Sequence, residues 1–117
     1  RGLARASMRL LTVASCALNQ WALDFQGNLE RVRESIRLAR ARGARLRVGP
    51  ELEITGYGCE DHFLEPDTCE HAWEAVASLL ASGDTKGIVV DVGMPVTHGD
   101  VLYNCRVVLL DGRVVLV

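Results

Sequence analysis

The sequence predicts an α/β fold, and three observations lead there. Apolar runs of strand length (residues 10–18, 44–48 and 88–93) alternate with two stretches in which apolar residues recur at three- and four-residue steps. That alternation is the pattern of parallel strands joined by crossover helices. Asp111-Gly112 lies between two further β-rich runs, a strong short-range signal for a hairpin. No internal repeat or low-complexity tract interrupts this order.

Taken in chain order, residues 1–7 are basic and patternless, and we expect them to be a non-native or disordered extension. Met8 opens the structured part, with the domain expected over residues 8–117. Residues 10–18 are interrupted only by Thr12, Ser15 and Cys16, which suits a central strand buried on both faces. Asn19-Gln20-Trp21 leaves its carboxyl end, and Trp21 is expected to pack as a lid over the sheet edge. The first helix spans residues 24–42. Leu29, Val32, Ile36 and Leu38 or Ala39 fall on one side, with Arg31, Arg33, Glu34, Arg37 and Arg40 on the rest. Asn28 is its candidate N-cap and Gly43 its stop. The arginines read as a solvated helix face, not a phosphate site. After the strand at 44–48 and a polar loop, a second helix runs from Asp67 or Thr68 to Ala81, ended by Gly83. The strand at 88–93 continues into Gly93-Met94-Pro95-Val96. Residues 97–101 are expected to be a flexible connection, with residues 103–110 and 113–117 flanking the hairpin turn.

The bulk numbers narrow the class. The chain has 117 residues, 49% hydrophobic, with a formal charge of −2, which is enough for one small globular domain. Arginines interleaved with acids exclude a nucleic-acid-binding patch. No apolar run reaches the length of a membrane span, and no signal-peptide pattern opens the chain. Of the four cysteines, Cys16 and Cys105 lie inside apolar strands, where reduced buried thiols are expected, while Cys59 and Cys69 are expected to be more exposed. We read all four as thiols in a reducing, cytoplasmic setting. Cys59, His62, Cys69 and His71 do not follow zinc-finger spacing, so no metal site is assigned.

The stretch most suggestive of chemistry is Val48-Gly49-Pro50-Glu51, followed by Gly56-Tyr57-Gly58. Pro50 fixes its own φ and biases Gly49 toward extended backbone, so Glu51 is delivered rigidly where a strand gives out. In an open α/β sheet that is where chemistry collects. The plain alternative is a solvated glutamate in a surface loop. His98 reads as solvated, and Cys105, in mid-strand, is too enclosed for a nucleophile.

Pro50-Glu51 at a strand end followed by Gly56-Tyr57 resembles the first signature of the nitrilase, or carbon–nitrogen hydrolase, superfamily. The runs from Cys16-Ala17-Leu18-Asn19-Gln20-Trp21 to Phe25, and from Gly49 through Cys59, resemble more narrowly the opening of eukaryotic glutamine-dependent NAD synthetases. So do Gly93-Met94-Pro95-Val96 and Tyr103-Asn104-Cys105-Arg106. The resemblance covers residues 8–117. It implies the leading portion of an α-β-β-α nitrilase-like sandwich, working as a glutaminase that frees ammonia from glutamine.

Residue by residue, the resemblance makes Glu51 the general base and Tyr57 a substrate-pocket candidate, with Glu53 in a supporting polar role. The family's lysine and nucleophilic cysteine are expected beyond Val117, since Lys86 does not match the lysine's place. The chain alone is therefore expected to be inactive and to hold no cofactor. ATP with magnesium and deamido-NAD are expected at a separate synthetase domain, and the family implies a homo-oligomer. Two alternatives stay open at this point: another amidase of the superfamily, or a non-catalytic truncated product that binds the full-length subunit.

Overall fold

The computed structural model describes Gly2 and residues 8–117; apart from Gly2, the extension expected over residues 1–7 lies outside the described residues. The elements run β1 (Val13–Ser15), α1 (Phe25–Ala41), β2 (Leu46–Val48), a 3-10 turn (Glu60–Leu64), α2 (Pro66–Ala81), β3 (Val89–His98), β4 (Val101–Leu110) and β5 (Arg113–Leu116). They form one five-stranded sheet in the order β1-β2-β3-β4-β5. The first three strands are parallel and the last two are added as antiparallel neighbours. The α/β class is the one the apolar periodicity predicts.

Strand alternation gives the sheet two unlike faces. Val90, Val92 and Met94 of β3, with Val107 and Leu109 of β4, join Val32 and Ile36 of α1 and Val76 and Leu79 of α2 in one buried cluster. Asp91, Gly93 and Pro95 therefore occupy the opposite face, alongside their cross-strand partners Val108, Arg106 and Asn104. One side is closed by helices and apolar. The other carries the polar groups described below.

Several local expectations are corrected. Helix α1 is capped by Asp24, whose carboxylate accepts the Gly27 N–H at 3.1 Å. Asn28 lies inside the helix and is buried, its amide committed to backbone groups of other segments. Helix α2 begins at Pro66, a residue whose missing N–H costs nothing in a first turn. Thr68, expected as a cap, is buried instead and donates to the His62 carbonyl at 2.6 Å. β1 is not a central strand buried on both faces. It is three residues long and lies at the sheet edge, with Leu10, Leu11 and Val13 exposed. Trp21, expected as a packed lid, is 63% exposed. Residues 97–101 are no flexible connection either. β3 and β4 pair down to His98 and Val101 around a two-residue turn, with φ of 54° at Gly99 and 62° at Asp100. Asp111-Gly112 makes the expected second hairpin with the same paired left-handed geometry.

The arginine face of α1 is only partly solvated. Arg33 Nε donates to Asp84 at 2.8 Å, Arg37 donates to both carboxylate oxygens, and Arg40 donates to the Asp84 carbonyl. Asp84 lies in the turn after α2 and is buried. Three arginines one helical turn apart thus tie α1 to that turn. Burial disfavours the Asp84 carboxylate, but the bonds from Arg33 and Arg37 outweigh it and hold its carboxyl below the usual range.

The cysteines are sorted opposite to expectation. Cys59 is 1% exposed, its thiol donating to the Thr55 and Gly56 carbonyls, and Cys69 is also buried; Cys16 and Cys105 are half-buried. All four are free thiols. The reason is position: Cys59 is folded under its own turn, whereas Cys16 follows the edge strand β1.

Two measurements follow from this packing. Timed alkylation read by mass spectrometry should label Cys16 and Cys105 well before Cys59 and Cys69. Asp84→Asn should lower stability near pH 7 by about 1.5–3 kcal/mol, the range for a hydrogen bond to a charged group. Because the folded carboxyl titrates below its unfolded value, its contribution is present above roughly pH 4 and lost as pH falls through the folded value. Denaturant melts of wild type and variant should therefore converge in acid.

Candidate active site

The candidate site is built from the chain that leaves β2. Gly49 continues the strand for one residue, its N–H donating to the Asp91 carbonyl at 3.1 Å. Residues 51–55 then form a compact turn. Inside it, Leu52 adopts φ of 48°, a left-handed conformation that costs a non-glycine residue on the order of 1 kcal/mol. That reversal separates two glutamates. Glu53 turns under α1 and is fully buried, while Glu51 stays exposed.

Glu53 meets Arg47, the one charged residue of β2, which is also fully buried. Two parallel bonds of 2.8 Å join guanidinium to carboxylate, and Arg47 Nε donates to Ser35 Oγ of α1 at 3.0 Å. Burial pushes the Glu53 carboxyl up, against the two Arg47 bonds that favour its charged form. A Cβ at Gly49 would collide with both charged groups. Glycine is thus required beside Pro50 for space.

From the other face, β4 reaches over the same turn. Arg106 donates to the Gly49 carbonyl at 2.9 Å and to the Pro50 carbonyl at 3.0 Å, and its Nε bonds Asp91 at 2.8 Å. The turn lies so close to β3 that a Cβ at Gly93 would sit 2.6 Å from Leu52 N. Two residues before Arg106, on the same face, Asn104 donates its amide to Glu51 Oε1. Asn104 also lines an apolar cleft of 250 Å³ with Leu52, Phe63, Pro95, Leu102 and Tyr103.

The segment after β1 closes the arrangement. Gln20 donates to the Glu53 carbonyl at 2.9 Å and accepts from Arg31 at 2.8 Å, while Asn28 donates to the Ile54 carbonyl at 3.1 Å. At Gly56, φ of 81° and the adjacent Trp21 carbonyl leave no room for a side chain. Tyr57 follows, 69% exposed.

Glu51 therefore lies where the sequence places it, beyond the carboxyl end of a parallel strand. Glu53 is a buried structural partner of Arg47. Lys86 precedes the amino end of β3, on the opposite rim from Glu51. Cys105 packs against the helix-side core. Among the described residues no three His, Cys, Asp or Glu side chains come together as metal ligands. Sequence reasoning missed the roles of Arg47, Asn104 and Arg106. A charged residue in the middle of a buried strand, as Arg47 is, was the one available signal, since such a charge requires a partner.

Comparison with known proteins agrees with the fold. The carbon-nitrogen hydrolase family matches residues 12–116. The glutamine-dependent NAD(+) synthetase of Dictyostelium discoideum is 60% identical over 111 residues, and that of Homo sapiens 57% over 109. These matches cover 94% and 93% of this chain but 16% and 15% of those proteins. Among solved structures, a glutamine-dependent NAD(+) synthetase from Cytophaga hutchinsonii superposes with a TM-score of 0.82 at 31% identity, covering 87% of this chain and 17% of that one. A variant of the Nesterenkonia AN1 amidase, from the nitrilase superfamily, shares the fold with a TM-score of 0.76 at 23% identity, covering 89% of this chain and 40% of that one. The chain thus spans about one-sixth of the length of its curated relatives, and it belongs to the carbon–nitrogen hydrolase family.

Proposed function

We propose that this chain forms the leading part of the glutaminase domain of a glutamine-dependent NAD(+) synthetase, with Glu51 as its general base. The observation that carries the reading is Glu51 itself: a carboxylate at the carboxyl rim of the parallel strands, on a turn fixed from both faces of the sheet. The names of the relatives at 57–60% identity support glutamine as the substrate.

On this reading Glu51 takes the proton of a cysteine thiol as the sulfur attacks the glutamine amide carbon. The carbon–nitrogen bond then breaks, Glu51 returns the proton to the leaving nitrogen, and ammonia departs from a thioester. Water attacks the thioester with Glu51 again accepting a proton, which releases glutamate and the thiol. A lysine stabilises the oxyanion of each tetrahedral intermediate. Neither that lysine nor the nucleophilic cysteine corresponds to a position in this sequence, so in this proposal other parts of the full-length protein supply them. The exposed Tyr57 remains the substrate-pocket candidate.

ATP, magnesium and deamido-NAD belong in this proposal to a synthetase domain built from other residues. What supports this is that Arg33, Arg37 and Arg40, the clustered cations of α1, are committed to Asp84. Cytoplasmic location and a homo-oligomeric parent complete the proposal. No helix among the described residues is long and apolar enough to cross a membrane.

The test is Glu51→Gln in the full-length protein, with NAD formation measured from glutamine and from ammonium. Glutamine-dependent turnover should fall roughly 100- to 10,000-fold, the usual contribution of a general base. Ammonium-dependent turnover should persist, because ammonia bypasses the step. Equal loss with both nitrogen sources would make Glu51 structural.

A further inference from the structure

β4 sends two polar side chains over the Glu51 turn, and they do different things. Arg106 binds main-chain carbonyls and Asp91, so it fixes the path of the backbone at Gly49 and Pro50. Backbone anchoring leaves the Glu51 side chain free to rotate about its own χ angles. The Asn104 amide, donating to Oε1, is the contact that removes that freedom.

We infer that Asn104 is a positioning residue for the Glu51 carboxylate, holding one oxygen so that the other faces the reacting groups. The inference rests on the glutaminase reading above and adds to it a second side chain that sets the geometry of the base. Its spacing follows from register. Pro95 opposes Asn104 and Gly93 opposes Arg106, so both side chains project from the face over which the turn is folded. Gly93, with no side chain, lets the turn descend onto β3, within reach of both.

The same contact contributes little to folding. Asn104 and Glu51 are both exposed, and a bond between exposed polar groups competes with water on nearly equal terms. A side chain that adds little stability yet orients a carboxylate at the rim is placed for catalysis. It also borders the 250 Å³ cleft. An amide can orient a carboxylate without carrying charge into the site, as an arginine at this position would.

The experiment compares Asn104→Ala and Asn104→Asp in the full-length protein. Both remove the donor, but Asp keeps the shape of Asn and faces Glu51 with a second carboxylate. Misplacing a catalytic group by about an ångström can cost up to about 100-fold. Asn104→Ala should therefore lower glutamine-dependent kcat on the order of 10-fold or more, with KM little changed and ammonium-dependent turnover intact. Asn104→Asp should fall further. If Asn104 served only packing, the isosteric Asp would be the milder change, and that order would overturn the inference. Near-wild-type kcat in both variants, or equal loss with ammonium, would overturn it as well.

A second measurement separates a role through Glu51 from an independent one. Placed on Glu51→Gln, Asn104→Ala should add no further loss, because it acts through the missing carboxylate. A fully additive loss would overturn the inference. The two readings fail separately: normal glutamine turnover in Glu51→Gln removes the base, whereas loss there with normal turnover in the Asn104 variants removes only the positioning role.

Discussion

Two charges without access to water, Arg47 and Glu53, determine the path of the turn that carries Glu51. A buried ion pair of this kind is not a large net source of stability, because desolvating both partners cancels much of their attraction. Its influence is one-sided. Any backbone path that withdrew Glu53 would strand a buried guanidinium, at a cost of about 3–5 kcal/mol. The turn must therefore bring Glu53 under α1. The left-handed Leu52 and the space at Gly49 are what that requirement imposes on the neighbouring residues. The strain at Leu52 is small beside the cost of leaving Arg47 alone.

Once the turn is fixed from below, its upper side presents carbonyls that no strand satisfies. Gly49 and Pro50 follow β2, where the ladder to β3 has ended at Val48 and Asp91. Arg106 takes both carbonyls with a planar fork that a lysine could not reproduce. Asp91 accepts from the Nε of the same side chain at 2.8 Å. Gln20 of the segment after β1 and Asn28 of α1 add side-chain bonds to carbonyls of the same turn, at Glu53 and at Ile54. A loop of five residues is thus held by parts of β2, β3, β4 and α1 and by the segment leading into α1. Such a loop is an extension of the sheet, with the precision a catalytic carboxylate needs.

What the sequence disclosed, and what it hid, divides along the range of the interactions. Helix periodicity, the stops at Gly43 and Gly83, the Asp111-Gly112 hairpin and the rim position of Glu51 are local in origin, and they were legible. Asn104 and Arg106 act on residues 53 to 57 positions away. Only the register of β3 against β4 brings them there, and register is invisible in one sequence. Asn28 illustrates the same limit. Its residue type suits a cap, but its amide donates to the Ile54 carbonyl, 26 residues away, from inside the helix. The cysteines were sorted by the apolarity of their neighbours in sequence. Burial instead followed which segment folds over which, closing over Cys59 and leaving Cys16 beside the sheet edge. The arginines of α1 looked solvated because Asp84, which gathers three of them, lies 44 to 51 residues away.

Glu51 and Glu53 bring these arguments to a single contrast. They are two residues apart, of one type, and on one turn. Both oxygens of Glu53 are bonded to Arg47 in a site that excludes water, so its carboxylate has no face left for a reacting group. Glu51 has Oε1 held by Asn104, and among the described residues Oε2 has no hydrogen-bond partner. A general base requires that second condition: enough restraint to fix its direction, and one oxygen open to accept a proton. The Arg47–Glu53 pair satisfies the demands of folding so completely that it is excluded from chemistry. The turn it enforces presents Glu51 on the opposite side, where the role we propose for it is physically available.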